Sequence, residues 1–118
     1  MATISTHTLN SVDGTHAGGI PVSVVRIGDD GQRAMLLSGE TDDGGRFVHE
    51  IDPSEVDGEA THELVLQIGP YFDERGLGDP QGRAMQEVVV RFQMPDPHGR
   101  YHIPFMLAPN SYSVWSSR

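Results

Sequence analysis

The stretch His62-Glu63-Leu64-Val65-Leu66-Gln67-Ile68 decides the fold class, because its side chains follow a period of two. Leu64, Leu66 and Ile68 fall on one face, whereas the acidic and amide side chains fall on the other. This alternation is typical of a β-strand that buries one face against a core. The segment Glu87–Met94 repeats the pattern, with apolar residues at every second position. Both segments therefore predict strands of a layered β-protein.

Similar apolar runs recur along the whole chain between clusters of Gly, Asp, Asn and Pro, as in a β-sandwich. Eight strands are predicted, over Ile4–Asn10, Pro21–Ile27, Ala34–Glu40, Arg46–Ile51, His62–Ile68, Glu87–Met94, Tyr101–Leu107 and Tyr112–Ser117. A short helix is predicted over Pro70–Gly76, because Gly76, Gly78 and Pro80 would end it. The expectation is a single all-β domain over residues 1–118.

The charge and the missing residue types exclude several classes of function. The chain has 17 acidic and 8 basic residues, a net charge of -9, no cysteine and no lysine. The negative field disfavours nucleic acid and anionic membranes as partners. Schiff-base, P-loop and thiolate chemistry need residues that are absent. No stretch is long and apolar enough to span a bilayer, so a cytoplasmic protein is expected.

Six histidines make up most of the reactive side chains. His7 and His102 lie inside predicted strands, where an imidazole is either a structural hydrogen bonder or a catalyst. The other four are expected on the surface: His16, His49, His62 and His98. No H-x-H or H-x-E-x-H run occurs, and four-residue spacing suits metal ligation only on a helix. We therefore expect no metal and no cofactor.

Arg46 begins a strand directly after Asp42-Asp43-Gly44-Gly45. Its guanidinium could pair with those aspartates, which stabilises little if the pair is exposed. Alternatively it could present a planar fork of donors to a substrate carbonyl or a developing oxyanion. Spacing alone leaves both alternatives open. A serine nucleophile is not favoured, because the G-x-S-x-G elbow is absent.

Several motifs in a fixed order nevertheless resemble one known family. They are Ser5-Thr6-His7-Thr8-Leu9-Asn10, Gly19-Ile20-Pro21-Val22, Thr41-Asp42-Asp43-Gly44-Gly45-Arg46, and Tyr101-His102-Ile103-Pro104-Phe105-Met106-Leu107-Ala108-Pro109. They resemble the S-T-H-V-L-D, G-x-P-V, T-x-x-D-G-R and Y-H-V-P-L-L-L-S-P segments of the transthyretin-like family, in its 5-hydroxyisourate hydrolase branch. Gly44 stands where that family has Asp. The likeness runs from about Thr3 to Tyr112.

The resemblance implies a sandwich of two four-stranded sheets that assembles as a homotetramer, a dimer of dimers. It places the family's catalytic residues on His7, Arg46 and His102, facing a channel between dimers. It implies a hydrolase of urate breakdown that opens the ring of 5-hydroxyisourate without a cofactor. A non-catalytic small-molecule binding protein of the same fold, or a purely structural domain, is the alternative.

The C-terminal tail departs from the family pattern. The family ends in Y-R-G-S, which lines the floor of its pocket, whereas this chain has Trp115-Ser116-Ser117-Arg118. By this resemblance the four tail residues and Arg46 are the expected substrate-binding residues. The changed floor suggests a modified ring, such as an N-methylated hydroxyisourate, as an alternative substrate.

Overall fold

A computed structural model describes residues 1–77 and 81–117 of the chain. Within these residues there are ten strands and one α-helix, in an all-β architecture of two sheets. The elements are β1 (Ala2–Asn10), β2 (Thr15–His16), β3 (Pro21–Ile27), β4 (Arg33–Glu40), β5 (Arg46–Ile51), β6 (Thr61–Gln67), α1 (Gly69–Glu74), β7 (Glu87–Phe92), β8 (Arg100–His102), β9 (Phe105–Ala108) and β10 (Ser111–Val114). A single 3₁₀ turn, Pro53–Glu55, follows β5.

The central strand of the larger, six-stranded sheet is β1. Its first half lies between antiparallel β5 and parallel β8, and its second half between β2 and β9. The strand β10 pairs with β9 and forms one edge of the sheet. Side chains of β1 alternate strictly, with even-numbered positions buried and odd-numbered positions partly exposed. The outer face of this sheet, which is the face turned away from the core, therefore carries the odd-numbered residues of β1.

The second sheet has the order β4-β3-β6-β7. Leu64 of β6 lies opposite Val24 of β3 on one side and Val90 of β7 on the other. The predicted core face of β6 is confirmed, because Leu64, Leu66 and, just beyond the strand, Ile68 are all buried. The opposite face is not exposed as the alternation predicts, because Glu63 and Val65 are buried too. These side chains pack between the sheets with Ile4, Phe105 and Leu107 of the six-stranded sheet.

The buried polar side chains of β1 are satisfied inside the sandwich. The Thr6 hydroxyl donates to the carbonyl of Ile103 at 2.6 Å, and the Thr8 hydroxyl donates to the carbonyl of Ala17 at 2.6 Å. The Asn10 amide donates to the Tyr71 hydroxyl at 3.2 Å. These bonds tie β1 to its neighbours, because a buried polar group without a partner would be costly. The outward side chains of β1 are thus held on a fixed strand.

The predicted all-β sandwich of two sheets is confirmed, but the described residues form ten strands rather than eight, with six in one sheet and four in the other. The segment predicted as Tyr101–Leu107 is divided at Pro104, which has no N–H to donate to the ladder. A further short strand, β2, forms a hairpin with the end of β1. The last strand ends at Val114 rather than at Ser117, and the helix begins at Gly69.

His62 was predicted to lie on the surface, and that prediction is wrong. It points inward from β6, is fully buried, and lies 5.7 Å from Phe92, ring centroid to centroid. Neither ring nitrogen has a hydrogen-bond partner among the described residues. Period-two alternation from Leu64 puts position 62 on the buried face, which the acidic neighbours in the sequence obscured.

Across residues 1–77 and 81–117, no helix is long and apolar enough to cross a membrane.

Candidate functional site

Strand register brings three predicted site residues to the outer face of the six-stranded sheet. His7 of β1 lies directly opposite Arg46 of β5. On the other side of β1, His102 of β8 lies opposite Ser5. His102 is thus one strand across and two residues along from His7, roughly 8 Å away by ordinary sheet spacings. The fold places His7, Arg46 and His102 side by side on one face.

Arg46 is positioned by the turn that precedes it. The Asp42 carboxylate accepts hydrogen bonds from the backbone N–H groups of Gly44 and Arg46, both at 2.9 Å. Gly45 has a φ of 75°, and a β-carbon there would collide with the carbonyl oxygen of Thr8 on β1. A glycine is therefore required for the turn to pack against β1. Asp42 is occupied with the backbone, and Arg46 forms no ion pair within the described part of the chain.

The Nε2 atom of His7 has two hydrogen-bond partners. It lies 3.0 Å from the carbonyl oxygen of Gly44 and 3.0 Å from Nδ1 of His16. The rings of His7 and His16 are stacked, with centroids 5.1 Å apart. Burial lowers the pKa of His7 below its ordinary value, and the Arg46 guanidinium lowers it further, against the raising effect of the Gly44 carbonyl. His7 is therefore neutral near pH 7 and able to accept a proton.

His102 is held by contacts to two other elements. Its Nδ1 lies 2.8 Å from the Ser5 hydroxyl, which projects from the same face of β1. Its backbone carbonyl accepts from the N–H of Ser117 at 2.9 Å, so the tail runs alongside β8. Because one ring nitrogen is engaged by Ser5, the other remains for a ligand on the outer face.

The described tail residues lie beside β8. Ser117 pairs with His102, and it lines a cavity together with Ser116 and Tyr101. Trp115 and Ser116 line a second cavity, of about 260 Å³, near β7. Trp115 is half exposed there. The prediction for Arg118 falls outside the described residues. The face that holds His7, Arg46 and His102 is open in the single chain.

The arrangement offers acid–base chemistry with an anion-stabilising cation. A neutral imidazole can take a proton, a second imidazole can give one, and the guanidinium can bind a carbonyl or oxyanion. No group of three or more potential metal ligands converges anywhere in residues 1–77 and 81–117. The chemistry that these side chains support is attack by water on a polar carbonyl group.

Sequence reasoning missed two neighbours of the site, His16 and Ser5. The prediction that His16 lies on the surface is confirmed, because it is exposed, but it also contacts His7. The Asp13-Gly14 turn after β1 was a signal, because a tight hairpin folds position 16 back beside Leu9. Ser5 shares the outward parity of His7, so its place on this face followed from alternation.

Comparison with known proteins gives consistent matches over nearly the whole chain. The family model described as HIUase/Transthyretin family matches residues 4–116. A 5-hydroxyisourate hydrolase of Halalkalibacterium halodurans is 29% identical over 112 residues, covering 95% of this chain and 94% of the relative. The solved 5-hydroxyisourate hydrolase of Klebsiella pneumoniae superposes with a TM-score of 0.78 at 24% identity, over 100% of both chains. Transthyretin from Sparus aurata superposes with a TM-score of 0.82 at 23% identity, over 97% of this chain and 95% of transthyretin.

Proposed function

This chain belongs to the HIUase/Transthyretin family, and from that membership we propose that it hydrolyses the ring of 5-hydroxyisourate in urate breakdown. The relatives that match nearly its whole length are 5-hydroxyisourate hydrolases, and they support a hydrolase. The two solved structures support the fold alone, since both a hydrolase and a transthyretin superpose well. The assignment to an enzyme rather than a carrier therefore depends on the side chains of the site.

One observation carries the proposal, namely the shared outer face of His7, Arg46 and His102. Two imidazoles and a guanidinium on adjacent strands form a set that can handle protons and negative charge together. A simple apolar binding site would not need it. Arg46 is not consumed by an ion pair with Asp42, so its fork of donors is available to a substrate.

The proposed reaction is attack of water on a ring amide carbonyl. The water oxygen bonds to the carbonyl carbon while one imidazole takes a water proton, and the carbon–nitrogen bond of the ring then breaks. The second imidazole gives a proton to the departing nitrogen. Arg46 binds the carbonyl oxygen and the negative charge that develops on it. His7 and His102 fill the roles of base and acid, in an order that the geometry leaves open.

Ultraviolet absorbance of freshly generated 5-hydroxyisourate tests this function directly. With the purified protein, the absorbance of the compound should decay much faster than in buffer alone, in proportion to protein concentration. Decay at the buffer rate at every protein concentration would instead favour the carrier alternative. Equilibrium binding of the same compound, measured without turnover, would support that carrier.

The tail suggests the finer substrate proposal of an N-methylated hydroxyisourate. Ser117 lies beside His102, and Trp115 replaces the tyrosine of the Y-R-G-S pattern. A changed floor would accept added methyl groups where the family pattern has an arginine. The test compares kcat/KM on plain 5-hydroxyisourate with that on its trimethyl analogue. Equal or higher kcat/KM on the plain compound removes this part of the proposal.

We also propose that the open outer face is closed by a second dimer in a homotetramer. Val48 on β5 is 65% exposed and Met106 on β9 is 39% exposed, both on this face. Covering them would bury apolar surface and would shield the site from bulk water. Sedimentation should show a tetramer, and Val48→Asp should reduce it to dimers with loss of turnover. A fully active monomer would contradict the assembly.

The cytoplasmic location of the protein stays a prediction.

A further inference from the structure

The contact between His7 and His16 is not used by the mechanism described above. The β1–β2 hairpin places His16 next to β1, because Leu9 pairs with His16 and Asn10 pairs with Thr15. The turn is fastened by the Asp13 carboxylate, which accepts from the Thr15 N–H at 3.0 Å and from its hydroxyl at 2.6 Å. The hairpin thus delivers an imidazole to the edge of the site.

Hydrogen-bond chemistry fixes which nitrogen of His7 carries the proton. The Gly44 carbonyl can only accept, so Nε2 of His7, 3.0 Å away, must be the donor. Nδ1 of His16 also lies 3.0 Å from Nε2 of His7, so it must accept from the same N–H through its lone pair. Both neutral rings therefore carry their proton on Nε2. Nδ1 of His7 has no hydrogen-bond partner among the described residues and is the nitrogen left for the substrate side.

We propose that His16 is a positioning residue for His7: its Nδ1 is a second acceptor, beside the Gly44 carbonyl, for the Nε2 proton of His7. The two acceptors hold the His7 ring in one orientation, in which its Nδ1 is free to accept a proton. When Nδ1 takes a proton from water, the resulting imidazolium donates to His16 more strongly than the neutral ring does. The third member of a hydrolytic triad orients its histidine by the same principle.

The groups around His7 limit when His16 can act as an acceptor. The positive charges that face His7 come from Arg46 on β5 and, when they are protonated, from His16 on β2 and His102 on β8. A protonated His16 could no longer accept from His7 and would repel its charge. The positioning role therefore belongs to the neutral form of the His16 ring.

Two substitutions separate the acceptor from the ring. His16→Phe keeps an aromatic ring to stack on His7 but has no acceptor, and His16→Asn places an oxygen near the position of Nδ1. The kinetic measurement depends on the proposed function. His16→Phe should lower kcat ~10-fold, which is part of what acid–base catalysis contributes, and should leave KM within twofold of the wild-type value. His16→Asn should recover most of the loss. His49→Phe, at an exposed histidine on β5 that stacks on Phe47, is the matched control and should keep wild-type kcat.

A nuclear magnetic resonance arm needs no turnover and so separates the two proposals. The ¹⁵N shifts of both rings at pH 8 should show Nε2 protonated and Nδ1 free. On acidification the titration of His7 should differ between the wild type and His16→Phe, because the variant lacks both the acceptor and the charge of His16. A His16 ring protonated on Nδ1 would overturn the inference, as would a His7 titration unaffected by His16→Phe. Equal kcat for His16→Phe and wild type, or for His16→Asn and His16→Phe, would also overturn it.

Discussion

His7 and Arg46 are direct cross-strand partners, with the histidine at the centre of β1 and the arginine at the first position of β5. Opposite residues on antiparallel strands hold their β-carbons about 5 Å apart. The guanidinium is thereby held beside the imidazole, and its charge lowers the pKa of His7. Burial of the ring and this neighbouring charge together keep His7 neutral, and the same backbone register places an anion-binding group next to it.

Arg46→Gln should lower kcat/KM on 5-hydroxyisourate by about 100-fold, because a donor to the developing oxyanion is lost. Arg46→Lys should recover little of this activity, since an ammonium cannot reproduce the planar fork. Initial rates of absorbance decay measure both. Arg100→Gln, at another exposed arginine of the same sheet, is the control and should remain near the wild-type rate. Equal losses in Arg46→Gln and Arg100→Gln would indicate a general effect of charge instead.

Gly45→Ala should destabilise the protein by about 2 kcal/mol, because φ is 75° there and the new methyl group meets the Thr8 carbonyl. The turn should also shift, which moves Arg46 and lowers kcat/KM. Gly31→Ala is the matched control: φ is 82°, but no atom lies within 4 Å of the new β-carbon. Thermal unfolding with activity assays should show the kinetic defect in Gly45→Ala and not in Gly31→Ala. A kinetic defect in both variants would mean that strain alone explains it.

The sequence predicted most of the fold, because apolar residues at every second position, such as Leu64, Leu66 and Ile68, mark the face that packs into the core. The break at Pro104 was missed, although the missing N–H of a proline inside a strand is a signal for it. The pairing of β2 could not be predicted, because it depends on which strands become neighbours. The resemblance supplied His7, Arg46 and His102, whereas spacing left each of them ambiguous. His16 was found from neither source, since its contact with His7 arises only when the hairpin at Asp13-Gly14 closes, and that turn was the one signal for it.

His62 should make the protein less stable in acid. Burial lowers its pKa below the ordinary 6.5, so the unfolded chain binds a proton at a pH where the folded chain does not. The free energy of unfolding should therefore fall as the pH drops below about 6.5, and level off below the folded pKa. His62→Leu should flatten this slope and unfold at higher temperature at pH 5.

Melting curves between pH 5 and pH 8 for wild type, His62→Leu and the exposed-site control His49→Gln check this expectation. His49→Gln should keep the wild-type slope. An unchanged slope in His62→Leu would show that other groups dominate the acid sensitivity. Neutral or better stability at pH 8 is expected for His62→Leu, since two unpaired buried nitrogens are removed.

Glu63 should also make the protein less stable in acid, at a lower pH than His62 does. Its carboxylate, almost fully buried on β6, accepts from Arg91 at 2.8 Å and pairs with Arg33. The Arg91 hydrogen bond lowers the pKa of Glu63 below 4.5, so its contribution is present at pH 7 and is lost as the pH falls through the folded pKa. Glu63→Gln should cost about 1 kcal/mol at pH 7, because both arginines are exposed. Urea unfolding at pH 7 and pH 3 should show a smaller cost at pH 3 than at pH 7.

The most direct test of the account compares kcat/KM for wild type, His7→Ala, His102→Ala and the double variant on fresh 5-hydroxyisourate. Each single variant should lose at least about 100-fold. The double variant should be little worse than the slower single variant, because the two imidazoles act as one unit. Wild-type kcat/KM in either single variant, with the fold intact by circular dichroism, would contradict the claim that these histidines perform the hydrolysis.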